Sequence, residues 1–252
     1  MRCVRRLLFA LFALAIANAL AVPCLAPRYE TLPSGARIGL AGHHETLESI
    51  AIKYVPAFYE DPAMPAGPLR EVLYEARERE GRLSILYRTI WQDEIHPVRA
   101  ADFLYRLFRR VYFGTAIDVE YVLVEIDLET GEILALDYQT EPSLAPDEFF
   151  SAHRRVREIG PRPPIELRVV TWNHMLARLD KESAPRGLVR SRPPVRAARD
   201  ADRRELWLAR ATYGYLEDFG PLTLGRQAPL FAAALLAALA LERLIARRRT
   251  AT

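Results

Sequence analysis

The chain has 252 residues and a formal net charge of +3, which leaves room for one ordinary domain and excludes two large ones. Its basic residues are almost all arginine, because Lys53 and Lys181 are the only lysines. Apolar segments at both ends narrow the expected folded domain to residues 27–219.

The first 21 residues have the order of a secretory signal. A basic start, Met1–Arg6, precedes the apolar run Leu7–Val22, and small-x-small cleavage sites lie at Ala17–Ala19 and Ala19–Ala21. The competing interpretation is an uncleaved anchor, since the run is near the minimum length for spanning a bilayer. If the segment is removed, Cys24 is the only cysteine left and no intrachain disulfide can form.

The C-terminal end predicts a transmembrane helix over residues 228–246. This stretch is apolar except for Glu242 and Arg243, and the basic tail 247–252 follows it. Basic residues directly after an apolar span favour the cytoplasmic side, which places residues 27–219 outside the cytoplasm. A buried or amphipathic helix is the alternative, although Pro229–Leu241 has no polar face.

In the middle of the chain, alternation and helical spacing predict several elements. The segment His43–Ile52 is either a short helix or a connector, and Leu69–Gly81 has the spacing of a helix. The β-branched and aromatic run Leu83–Trp91 predicts the first core strand. Pro97–Tyr112 predicts an amphipathic helix with a basic face.

A hairpin is the clearest local prediction. Val119–Asp127 and Ile133–Tyr138 are apolar runs, and the glycine-containing turn Glu129–Glu132 separates them. A further strand is predicted at Ile165–Trp172, and residues 180–204 form an arginine- and proline-rich exposed loop. The predicted fold class is therefore mainly β with some α.

The candidate chemistry begins on the hairpin strand. Alternation places Asp118 and Glu120 on the same face as Val122, Val124 and Ile126, which is the expected core face. Two carboxylates at the edge of an apolar interior repel each other unless a cation or donors compensate. A hard divalent cation, magnesium or calcium, suits such oxygen ligands.

Three other residues are candidates to converge on these carboxylates. Asp93 and His96 follow the first core strand, and His174 ends a later one. Each candidate has a plainer alternative: Asp118 and Glu120 can pair with arginines, Asp93 can cap the next helix, His96 can be a loop residue before Pro97, and His174 can be a buried histidine bonded to backbone.

The segment Gly114–Val124 resembles the G-H-R-H-D-W-E motif of the necrosis-inducing protein family, with glycine, Asp118 and Glu120 in matching positions. The stretch Ile85–Asp93 is similar to that family's aromatic strand ending in aspartate. Tyr54–Pro56 resembles the tyrosine-x-proline opening found there and in vacuolar-sorting-type relatives, and Thr171–Met175 is similar to a strand of distant relatives.

The resemblance implies a β-sandwich and a divalent cation held by Asp93, Asp118 and Glu120. Thr115 and Ile117 replace the motif histidines, so His96 or His174 would have to supply the missing ligand. Val119 replaces the motif tryptophan.

We therefore predict a membrane-anchored extracytoplasmic binding module with a candidate divalent-metal site, whose partners are the membrane and envelope glycans or lipid head groups. The alternatives are a metal-dependent hydrolase, with His96 or His174 as general base, and a structural envelope protein without metal. The sequence has no G-x-S-x-G, phosphate-binding glycine loop or zinc-spaced cysteine–histidine motif, which favours binding over catalysis. Nucleic acid is not an expected partner.

Overall fold

A computed structural model describes residues 31–64, 66–112, 117–141, 153–180, 182, 185–199 and 202, without the side chains of 108 and 110–112. The chain divides into two compact units. One contains Glu30–Leu107 and Thr115–Asp200, and the other groups Phe108–Gly114 with the two ends of the chain. The strands of the described residues lie in the first unit.

Within the described ranges, two helices and twelve strands have assigned bounds. The helices are α1 (Leu47–Tyr54) and α2 (Arg99–Tyr112). The strands are β1 (Arg37–Leu40), β2 (His43–Thr46), β3 (Ala57–Glu60), β4 (Leu69–Arg79), β5 (Arg82–Trp91), β6 (Asp118–Asp127), β7 (Ile133–Thr140), β8 (Arg154–Ile159), β9 (Glu166–Val169), β10 (Leu176–Arg178), β11 (Val189–Arg190) and β12 (Val195–Ala197).

The strands form one large sheet, one smaller sheet and a two-stranded ribbon. The large sheet has the order β12-β4-β5-β6-β7-β8 and is antiparallel except where β12 joins β4. The smaller sheet has the order β10-β9-β3-β11, and β1 pairs with β2. The predicted class, mainly β with some α, is confirmed.

Both larger sheets contribute to one hydrophobic core. Phe58 and Leu167 come from the smaller sheet, Val122 and Val124 from β6, and Ile50 from α1. Strand β6 therefore turns its predicted apolar face towards this shared core. Helix α1 begins after its cap residue Thr46, whose hydroxyl oxygen accepts a hydrogen bond from the backbone N–H of Ser49 at 3.2 Å.

The central strands are buried on both faces. Val119, Tyr121 and Leu123 alternate with the core-facing residues of β6 and are also buried. An ion pair, Arg88 Nη1 to Glu75 Oε2 at 2.7 Å, lies on that same second face. Burial on both faces removes the apolar–polar alternation by which a strand is normally identified.

Most predicted elements are found, and two predictions are wrong. The strand at Leu83–Trp91, the helix within Pro97–Tyr112 and the hairpin are confirmed as β5, α2 and β6–β7. Leu69–Gly81 is not a helix, because Leu69–Arg79 pairs with β5 along its length. The predicted loop 180–204 contains β11 and β12, which add an edge strand to each sheet.

The predicted terminal segments, 1–21, 228–246 and 247–252, lie outside the described residues, and so does most of 200–219. Their membrane and signal roles stay predictions. Within the described part of the chain, no helix combines the length and hydrophobicity needed to span a bilayer.

Candidate functional site

Two of the predicted ligands, Asp118 and His174, are in direct contact. Asp118 opens β6 opposite Trp91 of β5, and His174 lies in the turn between β9 and β10 at φ +60°, in the left-handed region. The Nδ1 atom of His174 is 2.8 Å from Oδ2 of Asp118, and both side chains are almost completely buried. Antiparallel pairing and a strained turn therefore place this pair.

The imidazole of His174 is held on three sides. Its Nε2 atom is 2.9 Å from the carbonyl oxygen of Gly67, which can only accept, so Nε2 carries a proton in this hydrogen bond. The ring stacks on Trp91 with centroids 4.3 Å apart and planes 12° from parallel. Because both ring nitrogens are occupied, His174 in this arrangement offers no lone pair to a metal ion.

Gly67 can accept this hydrogen bond only because it lacks a side chain. A Cβ atom there would lie 2.7 Å from both the backbone nitrogen and the backbone oxygen of Asp93. The Gly67 N–H also faces the Asp93 carbonyl oxygen at 3.3 Å. The segment before β4 and the segment after β5 therefore approach within hydrogen-bonding distance of each other, with His174 directly beside them.

Asp93 forms an ion pair with Arg106 of α2. Arg106 also lies 3.7 Å from Asp102, one helical turn earlier. A carboxylate that a guanidinium already neutralises needs no cation. The structure thus places Asp93 against the helix in an arginine pair, the arrangement that the sequence offered as an alternative for Asp118 and Glu120, whereas for Asp93 the alternative was a helix cap.

His96 belongs to a small aromatic cluster. Its ring is tilted against Trp172, with centroids 4.8 Å apart, and Trp172 meets Tyr105 edge-on at 5.5 Å. The Nδ1 atom of His96 accepts a hydrogen bond from the backbone N–H of Val98 at 3.0 Å. His96 is 5% exposed, which fits a packed residue at the start of α2 better than a metal ligand at a rim.

Glu120 is 1% exposed and lies opposite Thr89 in the β5–β6 ladder. Among the residues that the structure describes, no three histidine, cysteine, aspartate or glutamate side chains are grouped so that they could hold a metal ion. As placed, Asp93, Asp118, Glu120, His96 and His174 do not fit one shared ion. Metal binding by these residues stays a prediction.

A second polar arrangement was missed by sequence reasoning. On the smaller sheet, Arg168 of β9 and Arg190 of β11 lie opposite Tyr59 of β3, one on each side. The neighbouring residues Phe58 and Leu167 face the core, so this row is on the outer face. Alternation around Arg168 signals that it points outward, but only the strand pairing shows the row.

Comparisons with known proteins find similarity at the level of structure. No family model matches the chain, and no curated protein matches it. Among solved structures, NLPPya in complex with mannosamine is 14% identical, with a TM-score of 0.41 over 71% of this chain and 83% of that chain.

The necrosis and ethylene inducing protein 2 from the causal agent of cocoa's witches' broom disease is 13% identical, with a TM-score of 0.38 over 73% of this chain and 84% of that chain. The predicted distant resemblance to the necrosis-inducing family is thus confirmed. At these TM-scores it carries no residue role and no ligand to this chain.

Proposed function

We propose that this protein is a membrane-anchored, extracytoplasmic binding module that binds acidic groups of the cell envelope, on glycans or lipid heads. The observation that carries the proposal is the outward row Arg168, Tyr59 and Arg190 on the smaller sheet. The β-sandwich arrangement is part of the proposal, and the single core shared by both larger sheets supports it.

The side chains of this row suit a ligand whose anionic group is carried on a flat ring or is a phosphate. Directly opposite residues of neighbouring strands lie about 5 Å apart, so the side chains of Arg168 and Arg190 start on either side of the Tyr59 side chain. Glu166 accepts a hydrogen bond from the Tyr59 hydroxyl at 2.9 Å, which fixes the ring. Two arginines against one carboxylate leave the row with a net positive charge, and guanidinium forks bind carboxylates and phosphates in two-point contacts.

Anchoring and location rest on the sequence of the two ends. The apolar segments 1–21 and 228–246, with the basic tail 247–252, favour a domain held at the outer side of the membrane. Envelope glycans and lipid head groups are the acidic groups that a domain in that position meets.

The described residues favour the hydrolase alternative less. A general base must reach an ion-bound water, whereas His174 is occupied at both nitrogens, Nδ1 of His96 accepts the Val98 N–H, and Asp93 is paired with Arg106. If the outward row binds no ligand, the remaining alternative is a structural role in the cell envelope.

The test compares Arg168→Gln/Arg190→Gln with the charge-matched control Arg79→Gln/Arg82→Gln, at the β4–β5 turn of the large sheet. Full-length protein in neutral detergent is titrated with a uronate hexasaccharide, with glycerol phosphate and with neutral maltohexaose. We expect the double variant to lose at least about tenfold in affinity for an acidic probe, because two charge-assisted contacts are removed. Equal affinity in all three proteins, or equal binding of maltohexaose, would contradict the proposal.

Topology is tested separately. Pro185, Arg186 and Gly187 are exposed before β11, so trypsin added outside accessible cells should cut after Arg186. Protection of this bond in intact cells, together with cleavage after lysis, would overturn the proposed orientation.

A further inference from the structure

Helix α2 is attached to the domain by its polar face. Asp102, Tyr105 and Arg106 are spaced i, i+3 and i+4 and so lie on one side of the helix. Oδ1 of Asp102 accepts a hydrogen bond from the backbone N–H of His96 at 2.9 Å. Arg106 is paired with Asp93. The side of the helix that would normally meet solvent is therefore turned towards the protein.

The same face also makes the aromatic contact of the helix. Tyr105 donates a hydrogen bond to the buried carboxylate of Glu94 and packs edge-on against Trp172. Trp172 belongs to the β9–β10 turn, which also carries His174. The polar attachment is thus continuous with the buried network of the domain, and it fixes the rotation of α2 about its axis.

The opposite face of α2 is apolar and faces outward. Phe103 is 70% exposed, Leu104 64% and Leu107 50%, and Val98 just before the helix is 47% exposed. The spacing i, i+1 and i+4 places the three helical side chains in one stripe. Scattered apolar residues on a surface need no explanation, but a contiguous stripe on one helix marks an interaction surface.

We propose that this outward stripe, Val98, Phe103, Leu104 and Leu107, lies in the interface of a lipid bilayer. An amphipathic helix of this kind rests in the plane of the membrane, with its apolar side chains among the head groups and the upper acyl chains. The inference goes beyond the proposed acidic-ligand row, because it concerns another element and does not use Arg168 or Arg190.

Two features favour a bilayer over a protein partner. Exposed Arg99 stands at the start of the helix beside Val98, where a guanidinium can meet lipid phosphates while the stripe enters the apolar layer. A lipid surface also accepts a protruding ridge without a complementary groove.

The apolar run that ends at Val22 lies close by in the sequence. Thr31 follows Val22 by nine positions, a stretch that spans at most about 30 Å. A membrane-held run would keep the first described residues, and the domain they begin, within that distance of the lipid surface.

The experiment places a tryptophan in the stripe of the full-length protein. Phe103→Trp is compared with Ile52→Trp, a matched control on α1 where the native apolar side chain is 53% exposed. Both are reconstituted into vesicles of phosphatidylcholine and phosphatidylglycerol, with and without bromine on the acyl chains. The fluorescence of the native protein, which carries Trp91, Trp172 and Trp207, is subtracted.

We expect brominated lipid to quench the Phe103→Trp signal by at least about twofold, because an interfacial helix buries its apolar face about 5–10 Å deep. The Ile52→Trp signal should be quenched by aqueous iodide and unaffected by bromine. Phe103→Trp quenched by iodide alone would overturn the inference. A signal reached by neither quencher would also overturn it, since a protein surface would then cover the stripe.

A second variant tests whether the other apolar side chains of the stripe hold the helix in the lipid. Leu104→Ser/Leu107→Ser in the Phe103→Trp background should return iodide quenching to the level of Ile52→Trp. Unchanged bromine quenching in this variant would show that the stripe does not hold the helix in the lipid. Because the acidic-ligand row is intact in these proteins, failure here is distinguishable from failure of the proposed function.

Discussion

Two neighbouring regions of this protein reverse the usual distribution of polarity in opposite ways. Between the sheets, Asp118 and His174 are polar and almost completely buried. On α2, Phe103 and Leu104 are apolar and largely exposed. The first region satisfies its polar atoms internally, through the Gly67 carbonyl and the stack on Trp91, whereas the second has an apolar stripe turned to solvent.

The difference separates stability from interaction. A buried pair whose partners are all supplied by the fold is costly to disrupt and gives little to an outside ligand. An exposed apolar stripe adds little to folding and has its effect when something covers it. The sequence alone indicates the carboxylates as the site of interaction, whereas the structure indicates the exposed apolar stripe of α2.

The largest expected effect comes from breaking the buried pair. Asp118→Ala should lower the free energy of unfolding by about 3–5 kcal/mol, since it leaves the imidazole of His174 buried without its carboxylate. Chemical denaturation followed by circular dichroism measures the loss. Asp118→Asn keeps an acceptor oxygen and should recover part of it, and a loss below about 0.5 kcal/mol for the alanine variant would remove the structural role.

The same proteins test the metal prediction. Isothermal titration with calcium and magnesium, and melting in chelator against millimolar ion, are compared for the native protein and Asp118→Ala. The geometry predicts no change in melting temperature with either ion. A rise in the native protein that the variant lacks would establish a metal role.

The next largest effect is expected at Gly67, where the two backbones meet. Gly67→Ala should cost about 1–3 kcal/mol, because the added methyl group overlaps backbone atoms of Asp93 and forces them apart. The control is Gly39→Ala, whose Cβ would lie 3.8 Å from His44, an ordinary contact. Equal unfolding free energies in the two variants would show that the close approach is not needed.

Substitutions in the exposed stripe of α2, unlike those at Asp118 and Gly67, should have little effect on stability. Phe103→Ser/Leu107→Ser should change the free energy of unfolding by no more than about 0.5 kcal/mol per residue. Leu136→Ala, in the core at 0% exposure, should cost about 2–5 kcal/mol. A stripe variant as unstable as the core variant would mean that α2 packs its apolar face inside the domain.

The smallest effect on stability is expected at Asp127, an exposed carboxylate that serves as a comparison for the buried carboxylate of Asp118. The pKa of Asp127 is lowered, chiefly because it accepts a hydrogen bond from the backbone N–H of Thr130, with contributions from the Thr130 hydroxyl, the Glu129 N–H and Arg82. A carboxyl group whose folded pKa is lowered stabilises the fold above its unfolded pKa. That contribution is lost as the pH falls through the folded value.

Asp127→Asn should therefore flatten the acid side of the stability profile, in the window below the reference pKa of 3.8. Urea midpoints measured between about pH 6 and pH 2 follow the change. Glu129→Gln removes a charge from the same turn but keeps Asp127, and should leave the slope unaltered. A slope that changes equally in both variants would assign the effect to charge alone.

The parts of the fold that the sequence predicts are those with local signals. The β6–β7 hairpin follows from a glycine turn between two apolar runs, and α2 from its helical spacing. Strand β4 has the apolar spacing of a helix because it is buried on both faces, so that Leu73 and its neighbour Val72 are both apolar. The resulting i, i+3, i+4 spacing fits a helix equally well.

The candidate site shows a similar limit. Alternation correctly places Asp118 on the core side of β6, but the partner of a buried carboxylate depends on contacts distant in sequence. His174 reaches Asp118 from a turn 56 residues away, and the Gly67 carbonyl is 107 residues from His174. Residue types indicate that these groups need partners, whereas the packing of the two sheets decides which partners they have.

Strand β12 has a mechanical consequence. It is three residues long and joins the large sheet alongside β4, and hydrogen bonds from Val72 N–H to Pro194 and from Ala198 N–H to Tyr74, each 2.9 Å, flank it. In the large sheet, tension arriving from the C-terminal side meets the pairing at Ala198 before the rest of β12. The short ladder yields before the ten-pair ladder of β4 and β5, so the end of the chain can give way under pull while the core sheet stays intact.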